Sequence, residues 1–497
     1  MTKKAVAVLC VFAVIAALFT GCKSKVPEQH ELVLQTTAQV TEDTDNFKIS
    51  YSQSDSLNPF EATTLNNQTA DDLVYEPLFR IDESFEAVPE IASSYTYEDA
   101  HTLSVTIVSG LKFSDGTPLT AKNVVSSFYN AQSSPRWKNS LTPIYSATAT
   151  SDTAVKFKLS YANPYAHQLL TFYVAKNSSK SKYPLGSGKY KFLEENGKLY
   201  AEKNNEYKEK FNPRFTKIQL VNVPSAESIN NALNIGNISY AYRDETNETV
   251  ARLKCNKKQV NLNNMVFLGL RTTMGITSNA DIRRAISLAI DRGALAKSAY
   301  QGYAKAATSP FNPMSKIGRE TAIFADSADT AAAKQAIAKS GYKASQLTLK
   351  IVTNQNENKI ALAKLAAQQL EAVGFKVTVK SYSQKVFNDA LKYSNSNYDI
   401  YVAETKIPND MRLSSFFDKS GKTHYGMKTD SDTAKLYKAY INNGGELGKF
   451  ILSFSNEIPF VPVVYRKGVI CYSKAMHGDM QGYYGNFFAN IDDWYYN

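Results

Sequence analysis

The sequence predicts a mixed α/β fold, and three observations carry that prediction. Residues 103–108, Leu-Ser-Val-Thr-Ile-Val, alternate in and out as a half-buried strand does, and residues 121–131 then place Val124, Val125 and Phe128 at helical spacing. Residues 347–353, 360–373 and 375–379 read as strand, amphipathic helix and strand, with Gly374 closing the helix, which makes a βαβ unit. The chain has 497 residues, 43% of them hydrophobic and 21% charged. That is enough to bury a large core in roughly two to four domains, and it is not the composition of a disordered chain.

The first 46 residues stand apart. Lys3 and Lys4 precede an unbroken apolar run over 5–19, short for a membrane span and of the right length for a signal sequence. The run closes as Leu18-Phe19-Thr20-Gly21-Cys22, which resembles a bacterial lipobox. Cleavage there would leave Cys22 as a lipidated N-terminus, and several acyl chains anchor where one would not. An ordinary secreted protein cut nearby is the alternative. Residues 23–46 are polar, rich in Gln, Thr and Glu and without periodicity, and read as a flexible tether. No later segment is apolar enough to span a bilayer.

The body opens with a strand over 47–51, a turn over 55–60 and, over 66–79, a helix that runs into the segment Glu76-Pro77-Leu78-Phe79. After the strand at 103–108, Asp115 and Gly116 supply turn chemistry, and Thr120 follows Pro118 as the N-cap of the next helix. Residues 151–159 alternate as a strand, and Asn163-Pro164-Tyr165 begins a helix. A helix over 227–235 ends at Gly236, and a strand covers 267–271. Residues 281–292 form one amphipathic helix with Ile282, Ala285, Ile286, Ala289 and Ile290 as its stripe and Asn279 or Asp281 as its cap. Arg284 and Asp291 on this helix read as structural ion pairs. A helix over 328–339 precedes the βαβ unit, and strands at 398–402, 458–464 and 468–471 follow it.

Net charge is +11. A basic surface suits anionic envelope polymers or lipid headgroups, but there is no Arg stripe and no nucleic-acid motif. Gly188-Lys189 is followed by Tyr190, and Phe416 stands where a phosphate loop ending at Gly421-Lys422-Thr423 would need its first Gly. There is no H-E-x-x-H or G-x-S-x-G, and His30, His101, His167, His424 and His477 are scattered, so neither an enzyme nor a metal or cofactor is expected. Of four cysteines, Cys10 lies in the leader. Cys255 and Cys471 either form a disulfide, which an exported compartment permits, or stay as two thiols.

Several stretches, in order, resemble one family. Residues 110–125 read G-L-K-F-S-D-G-T-P-L-T-A-K-N-V-V, with Asn123 where the family usually has Asp. Residues 281–292 read D-I-R-R-A-I-S-L-A-I-D-R. Between and around them stand Ser56-Leu57-Asn58-Pro59, Glu76-Pro77-Leu78-Phe79, Pro184-Leu185-Gly186-Ser187-Gly188-Lys189-Tyr190, and Tyr398-Asp399. The pattern is similar to the family 5 extracytoplasmic solute-binding proteins, the oligopeptide- and dipeptide-binding components of bacterial ABC importers.

The resemblance implies a bilobed, type II periplasmic-binding-protein-like fold with an added subdomain in the first lobe. Lobe I would hold 47–75 and 187–262, the added subdomain 76–186, lobe II 263–462, and 463–497 would return to lobe I. The lobes would be joined by crossings near 261–267 and 459–464. The implied function is capture of an oligopeptide in the interlobe cleft and its delivery to a membrane permease with ATPase subunits. The protein would be a monomer held outside the cytoplasm through Cys22. A non-peptide ligand (a nickel chelate, haem or an oligosaccharide) and a peptide-sensing receptor are the alternatives. Ligand-binding candidates are Asn66, Gly186, Ser187, Arg271, Glu404, Asn409, Asp410 and Arg412. Arg271 stands where the family usually has Asn and would take a ligand carboxylate or pair with a protein acid. Glu404 or Asp410 would hold a ligand ammonium. The Gly186–Gly188 backbone would lie near the cleft mouth or form a tight turn between lobes.

Overall fold

The first strand, β1 (Lys48–Tyr51), sits inside an 11-stranded sheet, with parallel neighbours on both sides. The computed structural model describes residues 47–176, 181–244, 248–392, 397–443 and 446–496. The apolar leader, Cys22 and the tether lie outside the described residues.

Helix α1 (Leu65–Val74) follows β1. The helix expected from Asn66 into the Glu76-Pro77-Leu78-Phe79 segment ends at Val74, because Pro77 disfavours helical backbone at Glu76, and Tyr75 is already extended. Glu76-Pro77 instead pairs antiparallel with Tyr173-Val174. A separate four-stranded antiparallel sheet comes next, made of β2 (Ala92–Asp99), β3 (Thr102–Ile107), β4 (Ile144–Ala149) and β5 (Ala154–Leu159) in the order β2-β3-β5-β4. Helix α2 (Ala121–Ser133) packs Val124, Phe128 and Ala131 into the same core. Asn123 does the capping work of the absent acid: its Oδ1 accepts from the Thr120 N–H at 2.8 Å. The helix expected after Asn163 is only a 3-10 turn, Ala166–Leu169.

Strands β6 (Tyr190–Glu195), β7 (Lys198–Lys203), β8 (Lys217–Asn222) and β9 (Tyr240–Arg243) complete the first half of the large sheet around β1. The long strand β10 (Asn256–Leu270) then leads away into the second half. The single helix expected over 281–292 is two, α3 (Ala280–Ala289) and α4 (Arg292–Ala299). Asn279 caps the first. Asp291 caps the second by accepting from the Ala294 N–H at 2.7 Å, so it is a cap and not an ion-pair partner. After β11 (Ala304–Ala306), the unit β12 (Thr348–Asn354), α5 (Glu357–Ala372) and β13 (Lys376–Tyr382) is the expected parallel βαβ. Strand β14 (Ile400–Lys406) pairs with β10, and the two strands expected near 458–471 are one, β15 (Phe460–Tyr472).

The sheet order β6-β7-β8-β1-β9-β15-β10-β14-β12-β13 places the antiparallel β10/β15 ribbon at its centre. Near one end of the ribbon Asn256–Asn261 faces 467–472, and β9 adds to that end. Beyond a register shift between Asn261 and Met265, residues 265–269 face 460–465, and β14 adds to that end. The irregular step 262–264 thus lies where the ribbon passes from one half to the other, and a second register shift follows between Val266 and Phe267. A large core fills the first half, from Phe47 to Trp494, with two small clusters beside it, and two cores fill the second, around Leu268 and Phe460, the latter taking in Ile81 and Phe85. In the first, Trp494 stacks on Tyr240 at 5.3 Å and meets Phe47 edge-on at 6.1 Å.

An ion network lies beside the irregular step. Arg466 of β15 bonds Glu404 of β14 at 2.7 Å and Asp244, just after β9, at 3.0 Å. Lys359 and the Asn264 amide take the remaining bonds to Glu404. Burial would raise the Glu404 carboxyl, but Arg466, Lys359 and the Asn264 amide outweigh it and hold it at about 2. A depressed acid stabilises the fold above its ordinary value, and that stability is lost as pH falls from 4.5 through about 2. Melting temperature should therefore drop over this window by the equivalent of roughly 3 kcal/mol, and Glu404→Gln should flatten the drop in a pH series of thermal melts.

Candidate functional site

A cavity of about 430 Å³ is lined by both halves of the molecule. Helix α1 contributes Leu65, Gln68 and Asp72, and the chain after it contributes Pro77, Phe79, Arg80 and Ile81. The loop after α2 contributes Arg136, Trp137, Asn139 and Ser140. The second half brings Lys406, Pro408 and Asn409 from the end of β14, and 484–487 return from beyond β15. Two further cavities of about 440 Å³ are lined by the first half and the returning segment alone.

One wall is an arginine held between aromatic rings. The Arg136 guanidinium lies 4.7 Å from the Trp137 ring and 4.9 Å from the Tyr173 ring, and the two rings meet edge-on at 5.5 Å. Its Nη1 bonds Asp71 Oδ2 at 3.2 Å. Burial pushes the Asp71 carboxyl well up, and Arg136 offsets only part of that. Adjacent Asp72 is fully engaged: Oδ1 accepts from the Tyr173 hydroxyl and from Arg80, and Oδ2 accepts from the Phe487 N–H at 3.0 Å. Arg80 also bonds Glu90 at 2.9 Å and the Gly485 carbonyl at 2.9 Å. These bonds fix the rings and cations before any ligand arrives. Across the cavity the Lys406 ammonium donates to the Tyr484 hydroxyl and lies 4.7 Å from that ring. No carboxylate pairs with it among the described residues.

Beside the cavity the halves are tied together. Arg412 bonds Asp410 at 2.9 Å, and its Nη2 donates to the carbonyls of Asn139 at 3.1 Å and Ser140 at 2.9 Å. From the first half, the Asn163 amide donates to Asp410 at 2.9 Å. Both charged side chains are almost wholly buried, so the pair is a latch between the halves and not a pair of free ligand groups.

The eight ligand-binding candidates therefore scatter. Asn409 lines the cavity, and Asp410 and Arg412 form the latch at its edge. Glu404 belongs to the ion network beside the irregular step, and Asn66 donates to the Val223 carbonyl at 3.2 Å. The Arg271 guanidinium donates to the Tyr398 carbonyl and lies 4.9 Å from the Tyr398 ring, away from the cavity. Gly186 packs against the end of α1, where a Cβ would lie 1.9 Å from the Val74 carbonyl oxygen. Ser187 is buried and donates to Glu76 at 2.7 Å. Sequence reasoning missed Arg136, Trp137 and Tyr173. The signal was available: Trp137 is one of only two tryptophans, and an arginine precedes it.

The profile of the bacterial extracellular solute-binding proteins, family 5, matches residues 86–423. The chain is 25% identical over 324 residues to the nickel-binding protein NikA of Staphylococcus aureus, covering 62% of this chain and 64% of that one, so the match spans just under two thirds of that relative. It is 24% identical over 370 residues to the oligopeptide-binding protein AppA of Bacillus subtilis, covering 67% and 68%. Among solved structures, the ABC transporter substrate-binding protein CtaP of Listeria monocytogenes superposes with a TM-score of 0.73 at 23% identity, over 91% of this chain and 99% of that one. That likeness shows the fold, a bilobed type II periplasmic-binding-protein-like architecture.

Proposed function

This chain belongs to the bacterial extracellular solute-binding proteins of family 5, and from that premise we propose that it captures a short peptide between its lobes for an ABC importer. The observation that carries the reading is the lining of the 430 Å³ cavity. Trp137, Tyr173 and Phe487 offer apolar faces for side chains. Asn139, Asn409 and Ser140 offer donors and acceptors for peptide groups, and Lys406 offers a cation for a carboxylate. Asn409, Lys406 and the latch Asp410–Arg412 come from lobe II, so ligand contacts and lobe contacts form together. Ligand affinity for the closed form then drives closure about the step at 262–264. The closed protein docks on a permease that works with ATPase subunits.

In this reading the body is a monomer outside the cytoplasm, anchored by lipid on Cys22 through the tether up to residue 46. Lobe I holds 47–75, 187–262 and 463–497, the added subdomain 76–186, and lobe II 263–462. It binds and does not catalyse. The similarity to NikA supports a second reading, a metal chelate whose carboxylates face Arg136 and Lys406.

Native mass spectrometry of the protein purified without denaturation decides between them. A ladder of added masses matching short peptides is the expected result. A single added mass with a metal isotope pattern would replace the peptide by a chelate and leave the cavity assignment standing.

A further inference from the structure

Two thiols meet at the lobe I end of the β10/β15 ribbon. Lys257 is paired opposite Cys471, and Cys255 lies in the bend that leads into β10, just before Asn256, which is paired opposite Tyr472. Cys471 belongs to one small apolar cluster with Val250, Leu253 and Val469, and Cys255 packs against that cluster. Cys471 is fully buried and Cys255 partly exposed. The Cys471 thiol beside it, more than any other influence, draws the Cys255 thiol down to about 7, while Cys471 is pushed well up by the Cys255 thiol and by burial.

We infer that Cys255 and Cys471 are a redox pair that closes to a disulfide when the protein meets a low-molecular-weight disulfide such as oxidised glutathione. The roles follow from exposure and from which sulfur carries the charge. The Cys255 thiolate attacks one sulfur of the oxidant, the oxidant's S–S bond breaks, and one thiolate leaves. The buried Cys471 thiol then gives up its proton and its sulfur displaces the second thiolate from the mixed disulfide. Two protein thiols become one disulfide, and the oxidant is reduced to two thiols.

The position of the pair sets the consequence. It lies at the 256/472 end of the ribbon, away from the irregular step at 262–264 and from the cavity. A cross-link there ties residues 255 and 471 across all of lobe II and leaves the step free. Oxidation is therefore expected to raise the melting temperature and to leave ligand affinity unchanged.

The test treats the full chain with oxidised glutathione, maps disulfides by peptide mass under non-reducing conditions and follows thermal unfolding. The expected result is a Cys255–Cys471 linked peptide lacking two hydrogens, with a melting temperature that rises and falls back on reduction. Cys255→Ser should abolish both changes. Cys471→Ser should stop at a glutathione adduct on Cys255. If Cys471→Ser fails to fold, Cys255→Ser, at the partly exposed position, still decides the matter. A stable glutathione adduct on the wild-type chain, or two thiols that remain free, would overturn the inference. None of these outcomes depends on which ligand the cavity takes.

Discussion

Arg412→Ala is expected to cost about 3–5 kcal/mol of stability and at least tenfold in ligand affinity. The two losses have different origins. Stability falls because the Asp410 carboxylate, with no side-chain exposure, keeps only the Asn163 amide and backbone groups as partners. Such a charge costs more unpaired than the intact pair gains. Affinity falls because Arg412 donates to Asn139 and Ser140 of the opposite half, bonds that exist only while the halves are together. Removing them favours the open form, and apparent affinity drops by the fraction of molecules left closed. Arg412→Lys separates the effects. It keeps the charge for Asp410, so most stability should return. It lacks the fork that reaches two carbonyls at once, so affinity should recover only in part. Urea melts read the first quantity and isothermal titration with a bound peptide reads the second. Equal recovery of both in the Lys variant would remove the latch from the closure argument.

Gly269→Ala should be as damaging, for a steric reason. Gly269 of β10 stands opposite Tyr401 of β14, and a Cβ there would lie 1.9 Å from the ring's Cζ. The ring cannot step aside. It is fully buried, meets Phe267 edge-on at 5.8 Å, and its hydroxyl donates to the Thr423 carbonyl at 2.5 Å. The missing side chain is the space in which the neighbouring strand's ring lies, a device that compensates for glycine in a sheet. Overpacking of this kind costs about 3 kcal/mol or more. Adding Tyr401→Leu should restore part of the loss, because the two positions share one volume and their effects do not add. A double variant as unstable as the sum of the singles would show that the clash is relieved elsewhere.

How far the sequence could be read depends on how local each signal was. The βαβ unit at 348–382 and the capped helix at 121–133 were legible because period, cap and stop lie within a few residues of one another. The break between α3 and α4 was missed because Ile290 is buried and keeps the stripe while Asp291 restarts the helix. The site was harder. Arg271 and Glu404 attracted attention as charges on strands, but both are satisfied by neighbours far off in sequence. The Arg136 stack needs Tyr173 and Asp71, brought together only by the pairing of 76–77 with 173–174 and by α1. No spacing rule encodes that meeting.

The contact of Trp494 with Phe47 and Tyr240 has a consequence for how the chain acquires its structure. Residues 265–465 build the cores of the second half mostly from one another, with Ile81 and Phe85 added from the first half. The first core cannot close until β15 supplies a neighbour for β9 and Trp494 reaches Phe47, more than four hundred residues away along the chain. Contacts of such sequence separation form late and slowly. The lobe encoded first is thus finished last. A chain cut short by even a few residues before Trp494 would present an incomplete first lobe, with Phe47, Phe215 and Tyr240 open to solvent and to proteases, while its second lobe stood folded.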